Sequence, residues 1–346
     1  MNPPGNSTTV ETANGGLVFA VDLGGTFLRA ATVDQNGRIR FHLKQSTPRA
    51  EKADEIVRAL VTAARAGAKA AALAGEEISA LSVVVPGTVN VEEGVVIKAP
   101  NLPCLDGFRL AAALTSELNQ PAILENDANA AAVGEMWQGA GRGRPAIVCV
   151  TLGTGVGGGI ILDGKLWRGV DGSAAEIGHM SVDPFGGVAC TCGSRGCLEV
   201  YASATAVVRM TREARPRYPD SALHVSDELS SEEIYRAGLG GDALALEVFG
   251  RMGVYLGVGL ANLINILDPE IIVIGGGLVN GWSLFEKHMW QQVTERAFPL
   301  PAARVKIVRA ECGDDAGLLG AARLAFTGSI QGLGDYSAGQ IERACL

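Results

Sequence analysis

Apolar residues along this chain fall in short runs that end on glycine or an acid, alternating with longer Ala-rich stretches of helical spacing. Leu17–Leu23 is apolar apart from Asp22 and meets a Gly24-Gly25-Thr26 turn. Phe27–Asp34 follows, then Asn36-Gly37, then Arg38–Gln45. Such runs, separated by glycine and Asn-Gly turns, predict a meander of three antiparallel strands. In Glu51–Ala74 the apolar positions Ile56, Leu60, Val61 and Ala64 recur at helical intervals, so a helix is expected there. Ile78–Val85 reads as a buried strand stopped by Pro86-Gly87, followed by a short strand at Val95–Lys98, a loop over Asn101–Gly107 and a helix over Arg109–Asn119. Pro121–Glu125 is a strand leading into Asn126-Asp127, after which Ala128–Gln138 is helical.

A second apolar run, Ala146–Leu152, enters a Gly153–Gly159 turn, continues as Ile160–Leu162 and closes a hairpin at Asp163-Gly164. Two strand–glycine turn–strand hairpins, each opening one half of the chain, predict a duplicated α/β unit with both turns at the mouth of one cleft. A Gly/Cys-rich insert (Gly178–Cys197) precedes a helix at Ala204–Ala214, a surface loop over Arg215–Glu233 and a long small-residue helix, Ala243–Leu267. Glu270–Ile274 is a buried strand ending in Gly275-Gly276-Gly277. Phe285–Ala297 is amphipathic, Val305–Val308 is a strand and Ala316–Phe326 is a last helix. The expected organisation is a disordered leader (1–16), an N-terminal domain (17–135) completed by the 316–328 helix, a C-terminal domain (136–315) with the insert at 178–199, and a loosely ordered tail (329–346).

Composition supports a compact enzyme of more than one domain: 346 residues, 47% hydrophobic, 19% charged, 46 glycines. A net charge of −8, with no useful Lys/Arg run, argues against a nucleic-acid partner. It does not exclude anionic substrates, because glycine turns bind phosphate through backbone N–H groups. The first sixteen residues are polar and lack the apolar core of a signal peptide, and the apolar stretches break short of a membrane span. The expectation is a cytoplasmic protein with no membrane partner.

Glycine allows close backbone approach and positive φ, so Asp22-x-Gly24-Gly25-Thr26 can converge N–H groups on an anion while Asp22 holds Mg²⁺ through water. The alternative is a glycine hairpin without a ligand. Gly153-Thr154-Gly155 and Gly275-Gly276-Gly277 share that ambiguity, and the three together are stronger than any one. Neither a Walker loop nor a dinucleotide fingerprint fits them. His179, Cys190, Cys192 and Cys197 supply four ligands for a tetrahedral, structural Zn²⁺. A metal-free cysteine loop or a redox pair is the alternative. One ring nitrogen of His179 could bind metal while the other hydrogen-bonds a substrate. Asp127, where a strand gives way to a helix, is either an N-cap or a carboxylate held ready to take a proton. Glu176 and Glu199 bracket the cysteine loop, and Asn101 and Asn126 are donor–acceptors suited to sugar hydroxyls. Trp137, Trp167 and Trp282 read as packing residues, and Cys104, Cys149, Cys312 and Cys345 as buried thiols or a tail residue.

With these residues together, the chain resembles the ROK family (repressors, open reading frames and kinases), in its ATP-dependent glucokinase branch, from about Leu17 to Phe326. The resemblance is carried by Val150–Ile160, by Glu176-Ile-Gly-His179, by Cys190–Glu199, by Asp22–Thr26 and by Glu125-Asn-Asp127. It implies an actin-like fold of two ribonuclease-H-like domains with the active site between them. It further implies Asp127 as catalytic base, with Gly87, Asn101, Asn126, Glu176, His179 and Glu199 at the sugar. Asp22–Thr26, Gly153–Gly155 and Gly275–Gly277 would take ATP, and His179 with the three cysteines would take zinc. The implied reaction is ATP- and Mg²⁺-dependent phosphorylation of glucose by a homodimer or homotetramer. N-acetylmannosamine or fructose is the competing acceptor and polyphosphate the competing donor; where family members carry an aromatic after Asn-Leu-Pro, this chain has Cys104-Leu105. A sugar-sensing repressor would need a DNA-binding module of about 60–80 residues before the first strand, and a non-catalytic sugar binder would not need Asp127 with both glycine turns.

Overall fold

A computed structural model describes residues 16–224 and 229–328. The leader and tail expectations, and Cys345, lie outside these residues apart from Gly16. The first half contains β1 (Leu17–Leu23), β2 (Phe27–Val33), β3 (Ile39–Ser46), α1 (Ala53–Leu73), β4 (Ile78–Val85), β5 (Thr88–Asn90), β6 (Val95–Lys98), α2 (Leu110–Leu118), β7 (Ala122–Asn126) and α3 (Asp127–Gln138). The second contains β8 (Ile147–Leu152), β9 (Val156–Leu162), β10 (Lys165–Leu166), α4 (Glu199–Ala202), α5 (Ala204–Ala214), α6 (Ser231–Leu239), α7 (Ala243–Leu267), β11 (Ile271–Gly275), α8 (Trp282–Arg296), α9 (Pro299–Arg304), β12 (Lys306–Arg309) and α10 (Ala316–Thr327).

Ten of these twelve strands form two five-stranded sheets, ordered β3-β2-β1-β4-β7 and β10-β9-β8-β11-β12, and β5 and β6 pair with each other as an antiparallel ribbon. Both five-stranded sheets are an antiparallel three-strand meander extended by two parallel strands, the same topology used twice. Burial explains the strand sequences. β11 (IIVIG) is buried along its whole length between two parallel neighbours and reads as a continuous apolar run, whereas β3 alternates half-buried and exposed positions at the open edge of its sheet.

Helix α10 returns from the end of the described chain to pack on α3, β1 and β4. Its Leu318, Ala321 and Ala322 share a core with Val18, Ala20, Val84 and Ala130. The crossing with α3 depends on two glycines: a Cβ on Gly320 would lie 1.7 Å from the Ala130 carbonyl oxygen, and one on Gly134 would lie 2.1 Å from that of Ala316. The glycines of α7 act alike, Gly253 and Gly257 lying against the α8 backbone at Phe285 and Met289. Among the described residues α7 is the one helix long and apolar enough to cross a membrane, and 61% of its apolar window is buried in the core.

Several expectations need correction. The turn expected over Gly153–Gly159 is confined to Gly153–Gly155, and Gly157, Gly158 and Gly159 belong to β9. They are glycines because neighbours crowd both faces of the strand. A Cβ on Gly159 would meet Ala132 at 2.6 Å, and one on Gly158 would meet Ile177 at 2.4 Å. The surface loop expected over Arg215–Glu233 has short helical turns at Arg215–Arg217 and Ala222–His224, then opens α6 at Ser231 through a Ser230–Glu233 capping box. The amphipathic helix begins at Trp282 rather than Phe285, and the strand expected at 305–308 spans Lys306–Arg309. Helix α9 carries two prolines, which disguise it, yet both lie in its first turn, where no N–H is needed.

Candidate active site

The corner where β7 becomes α3 is held by a chain of hydrogen bonds. Asn126 is the N-cap, its side-chain oxygen accepting from the Asn129 N–H at 3.0 Å. Its amide donates to the Gly87 carbonyl at 2.9 Å and to Asp127 Oδ1 at 3.1 Å. The Ala128 N–H donates to the same Asp127 oxygen at 2.9 Å. Gly87 sits at φ +114°, and a Cβ there would stand 2.1 Å from the Lys98 carbonyl oxygen, so only glycine lets this turn lie against the Lys98–Ala99 backbone. Asp127 is therefore the first residue of a helix whose cap is its neighbour, Asn126.

Asp22, on β1, pairs with Arg29 on β2 at 3.2 Å, and Arg29 also reaches Asp314 at 3.2 Å. Burial raises the Asp22 pKa, with Arg29 opposing. Burial pushes Asp127 up to about 6; the negative charges of Asp22 and Glu176 add to the rise and the Ala128 N–H opposes it. Such a carboxyl is largely ionised at neutral pH and readily takes a proton. The first glycine turn adjoins Asn101: a Cβ on Gly25 would touch the Asn101 side chain at 2.8 Å. Thr47 straps this turn, its N–H donating to the Thr26 carbonyl and its hydroxyl to that of Gly24.

The other two glycine turns adjoin each other. Gly276, at φ +88°, packs on Leu152 at the end of β8, and Gly275 is in register with Thr151. The Gly153–Gly155 turn receives the Ala204 N–H on the Gly153 carbonyl and the Thr205 hydroxyl on the Thr154 carbonyl. Glu199 reaches the same turn, accepting from the Val156 N–H at 3.0 Å. Glu176 stands in a tight turn after Ala175, which adopts φ +64°, a strained value for a non-glycine residue. Ala175 and Ile177 seat on Gly158, and Gly178 seats on Val156, so β9 supports the Glu176 segment from below.

His179, Cys190, Cys192 and Cys197 converge, their ligand atoms all within 4.8 Å of one another. His179 Nδ1 lies 3.6 Å from Cys190 Sγ, and the Cys192 and Cys197 sulfurs are 3.7 Å apart. A tetrahedral zinc with bonds of about 2.0–2.3 Å sets its ligand atoms roughly 3.3–3.8 Å apart; these two pairs stand at that spacing, and one imidazole with three thiols is a donor set that zinc takes. His179 Nε2 faces Glu176 Oε2 at 3.8 Å.

Sequence reading did not single out two arginines that pair with carboxylates of the site. Arg168, after β10, bonds Glu125 at 2.7 and 2.8 Å, and Arg29 stands beside Asp22. The partners are far apart in sequence for the first pair and on neighbouring strands for the second. Only the polarity of Glu125-Asn126-Asp127 hinted at the first. His42 faces Asp315 at 3.4 Å. Trp137 and Trp282 pack edge-on against Phe326 and Phe285, whereas Trp167 is exposed rather than packed. Cys149 is buried, and Cys104 and Cys312 are partly buried.

The ROK family profile matches residues 18–327. A glucokinase of Halalkalibacterium halodurans is 37% identical over 309 residues, covering 87% of this chain and 92% of that protein. A crystal structure of a ROK family glucokinase from Streptomyces griseus, in complex with glucose and AMPPNP, is 35% identical with a TM-score of 0.77, covering 90% of this chain and all of that one. A ROK family transcriptional regulator, a homologue of the E. coli MLC protein, is 28% identical with a TM-score of 0.83, covering 91% of this chain and 79% of that one.

Proposed function

The chain belongs to the ROK family, and on that premise we propose that it transfers the γ-phosphoryl group of ATP to the 6-hydroxyl of glucose, with Asp127 as general base. At the level of class it is a sugar kinase with the actin-like two-domain α/β fold; glucose as acceptor is the finer reading. The observation that carries it is the Asp127 corner: a carboxylate poised near pH 6, held by the Asn126 amide that also bonds the Gly87 carbonyl, and raised by the charge of Asp22.

In this reading Asn101, Asn126, Glu176, His179, Glu199 and the Gly87 backbone hold the sugar, and Asp127 accepts the hydroxyl proton as the oxygen bonds phosphorus. Backbone N–H groups of Gly24–Thr26 and Gly153–Gly155 steady the phosphates, and Gly275–Gly277 takes the nucleoside side. Phosphoryl transfer asks mainly for alignment and charge neutralisation, and these parts supply both. Burial raises Asp22 even with Arg29 beside it, so the carboxylate fits a place beside a cation; Mg²⁺ held there through water would neutralise charge on the phosphates. His179, Cys190, Cys192 and Cys197 would hold a structural zinc, which braces the segment between Glu176 and Glu199. Domains of 17–135 with 316–328, and of 136–315, would close over the substrates and exclude water. The same reading places the protein in the cytoplasm as a homodimer or homotetramer.

A coupled assay with ATP and glucose, mannose, fructose, glucosamine or N-acetylmannosamine tests the acceptor. Glucose is expected to give the largest kcat/KM. A larger value for N-acetylmannosamine or fructose overturns the glucose reading, and binding without turnover of any hexose makes the chain a sensor. Because the base must be ionised, kcat/KM is expected to fall about tenfold per pH unit below a pH of about 6. A profile flat down to pH 5 would remove Asp127 from that role.

A further inference from the structure

Beneath the Asp127 corner two charges meet from different sheets. Glu125 is on β7, 1% exposed. Arg168 follows β10; its Nε donates to Glu125 Oε2 at 2.8 Å and its Nη2 forms an ion pair with the same oxygen at 2.7 Å. The other carboxylate oxygen of Glu125 accepts from the Asn126 N–H at 2.9 Å and the Asn129 amide at 3.1 Å. One carboxylate therefore joins the backbone and cap of the Asp127 corner to a segment of the second sheet. A carboxylate so deeply buried requires a partner, and an arginine fork fixes direction as well as distance.

Arg168 also begins the segment that ends at Glu176. Its carbonyl accepts the Ala174 N–H at 3.0 Å, folding residues 168–174 into a closed loop. Gly169, Gly172 and Ala175 all adopt positive φ, so the path from Arg168 to Glu176 is a succession of tight turns with little slack. Such a path would pass a displacement at Arg168 to Glu176 and, three residues on, to His179. The same displacement would free Glu125, and with it its bonds to Asn126 and Asn129.

We propose that the Arg168–Glu125 pair is a positioning latch that sets the Asn126-Asp127 corner and the Glu176 segment in register with each other, so that acceptor and base are aligned from opposite sheets. Neither Arg168 nor Glu125 is among the residues proposed to hold the sugar or the nucleotide. The catalytic part of its test rests on the hexose-kinase reading of the Asp127–Glu176 site; a second part does not.

The variants are Arg168→Met, Arg168→Lys, Glu125→Gln and the double Glu125→Gln/Arg168→Met. A misplacement of about 1 Å costs about 10²-fold in rate, so Arg168→Met is expected to lower kcat/KM for glucose by about that factor while the KM for ATP stays within about threefold. Arg168→Lys, which keeps the charge and one donor, is expected to recover at least about tenfold of the loss. The double variant is expected to be no worse than Arg168→Met, because both changes break one link. Losses that multiply in the double, a KM for ATP that rises with that for glucose, or a lysine variant no better than methionine would each overturn the latch. Amide exchange supplies the readout free of catalysis. The Asn126, Asn129 and Ala174 N–H groups should all exchange at least about tenfold faster in Arg168→Met, with those of β11 unchanged. Faster exchange at Ala174 alone overturns the proposal. A wild type that phosphorylates no hexose, yet shows this coupled exchange pattern in Arg168→Met, retires the kinase reading and keeps the latch. If Glu125→Gln does not fold, the two Arg168 variants decide by themselves.

Discussion

Asp127→Asn is expected to lower kcat for hexose phosphorylation by about 10²–10⁴-fold, the contribution of a positioned general base, while hexose affinity changes by no more than a few-fold. The amide keeps the shape of the corner and can still accept from the Ala128 N–H, but it cannot take the hydroxyl proton. The same change should raise stability. Burial and the Asp22 charge lift the folded-state pKa of Asp127 from the ordinary carboxylate range to about 6, so the fold favours the protonated form. That favourable contribution is complete below the unfolded-state pKa of about 4 and is lost as pH rises through about 6. At neutral pH the wild type therefore bears a penalty of up to about 3 kcal/mol, by the linkage of about 1.4 kcal/mol per pKa unit, and the neutral amide escapes it. Thermal melts should show Asp127→Asn above wild type at pH 7, with the gap closing towards pH 4. Wild-type turnover in the variant, or a lower melting temperature at pH 7, would refute the account of this residue.

Cys197→Ser is the second large perturbation. Cys197 is fully buried and lies two residues before Glu199, while His179 lies three residues after Glu176. Loss of one ligand from a four-ligand set should abolish tight zinc binding, seen as less than one equivalent of zinc by metal analysis against one in wild type. Zinc contributes about 10–16 kcal/mol to folding in small zinc peptides. Even about 3 kcal/mol here would lower Tm by roughly 6–12 °C, at 2–4 °C per kcal/mol in domains of this size. Hexose affinity should fall with it, because the loop carries Glu199 to the Val156 N–H and His179 to Glu176. Full metal content or an unchanged Tm in the variant would show that the four side chains converge for another reason.

Much of this was legible in the sequence where the physics is local. The Gly24–Thr26 turn, the strands of the first meander and the Cys190–Cys197 loop announce themselves because glycine, alternating burial and thiol spacing act over a few residues. What sequence reading missed is what depends on contact between distant segments. β9 reads as a turn because its three glycines answer to Ala128, Ala132 and Ile177, none of which is near in sequence. Glu125 reads only as the last residue of a strand until Arg168, forty-three residues away, is placed on it. α9 is disguised by prolines that obey a rule about the first helical turn. Pattern reading finds the parts that carry chemistry, and tertiary contact decides which residues aim them.

The docking of α10 on α3 has a consequence for the birth of the protein on the ribosome. The Asp127 corner stands on a helix whose partner is encoded almost two hundred residues later, and Val18, Ala20, Val84 and Ala130 find their apolar cover only when Leu318, Ala321 and Ala322 have emerged. Domains usually fold as units in the order they are synthesised. Here the first sheet is expected to wait, partly uncovered, through translation of the whole second one, since closure over so long a loop is of the slow kind. Nascent chains of about 300 residues would expose one sticky face of a nearly complete sheet, which is where a chaperone would be most needed.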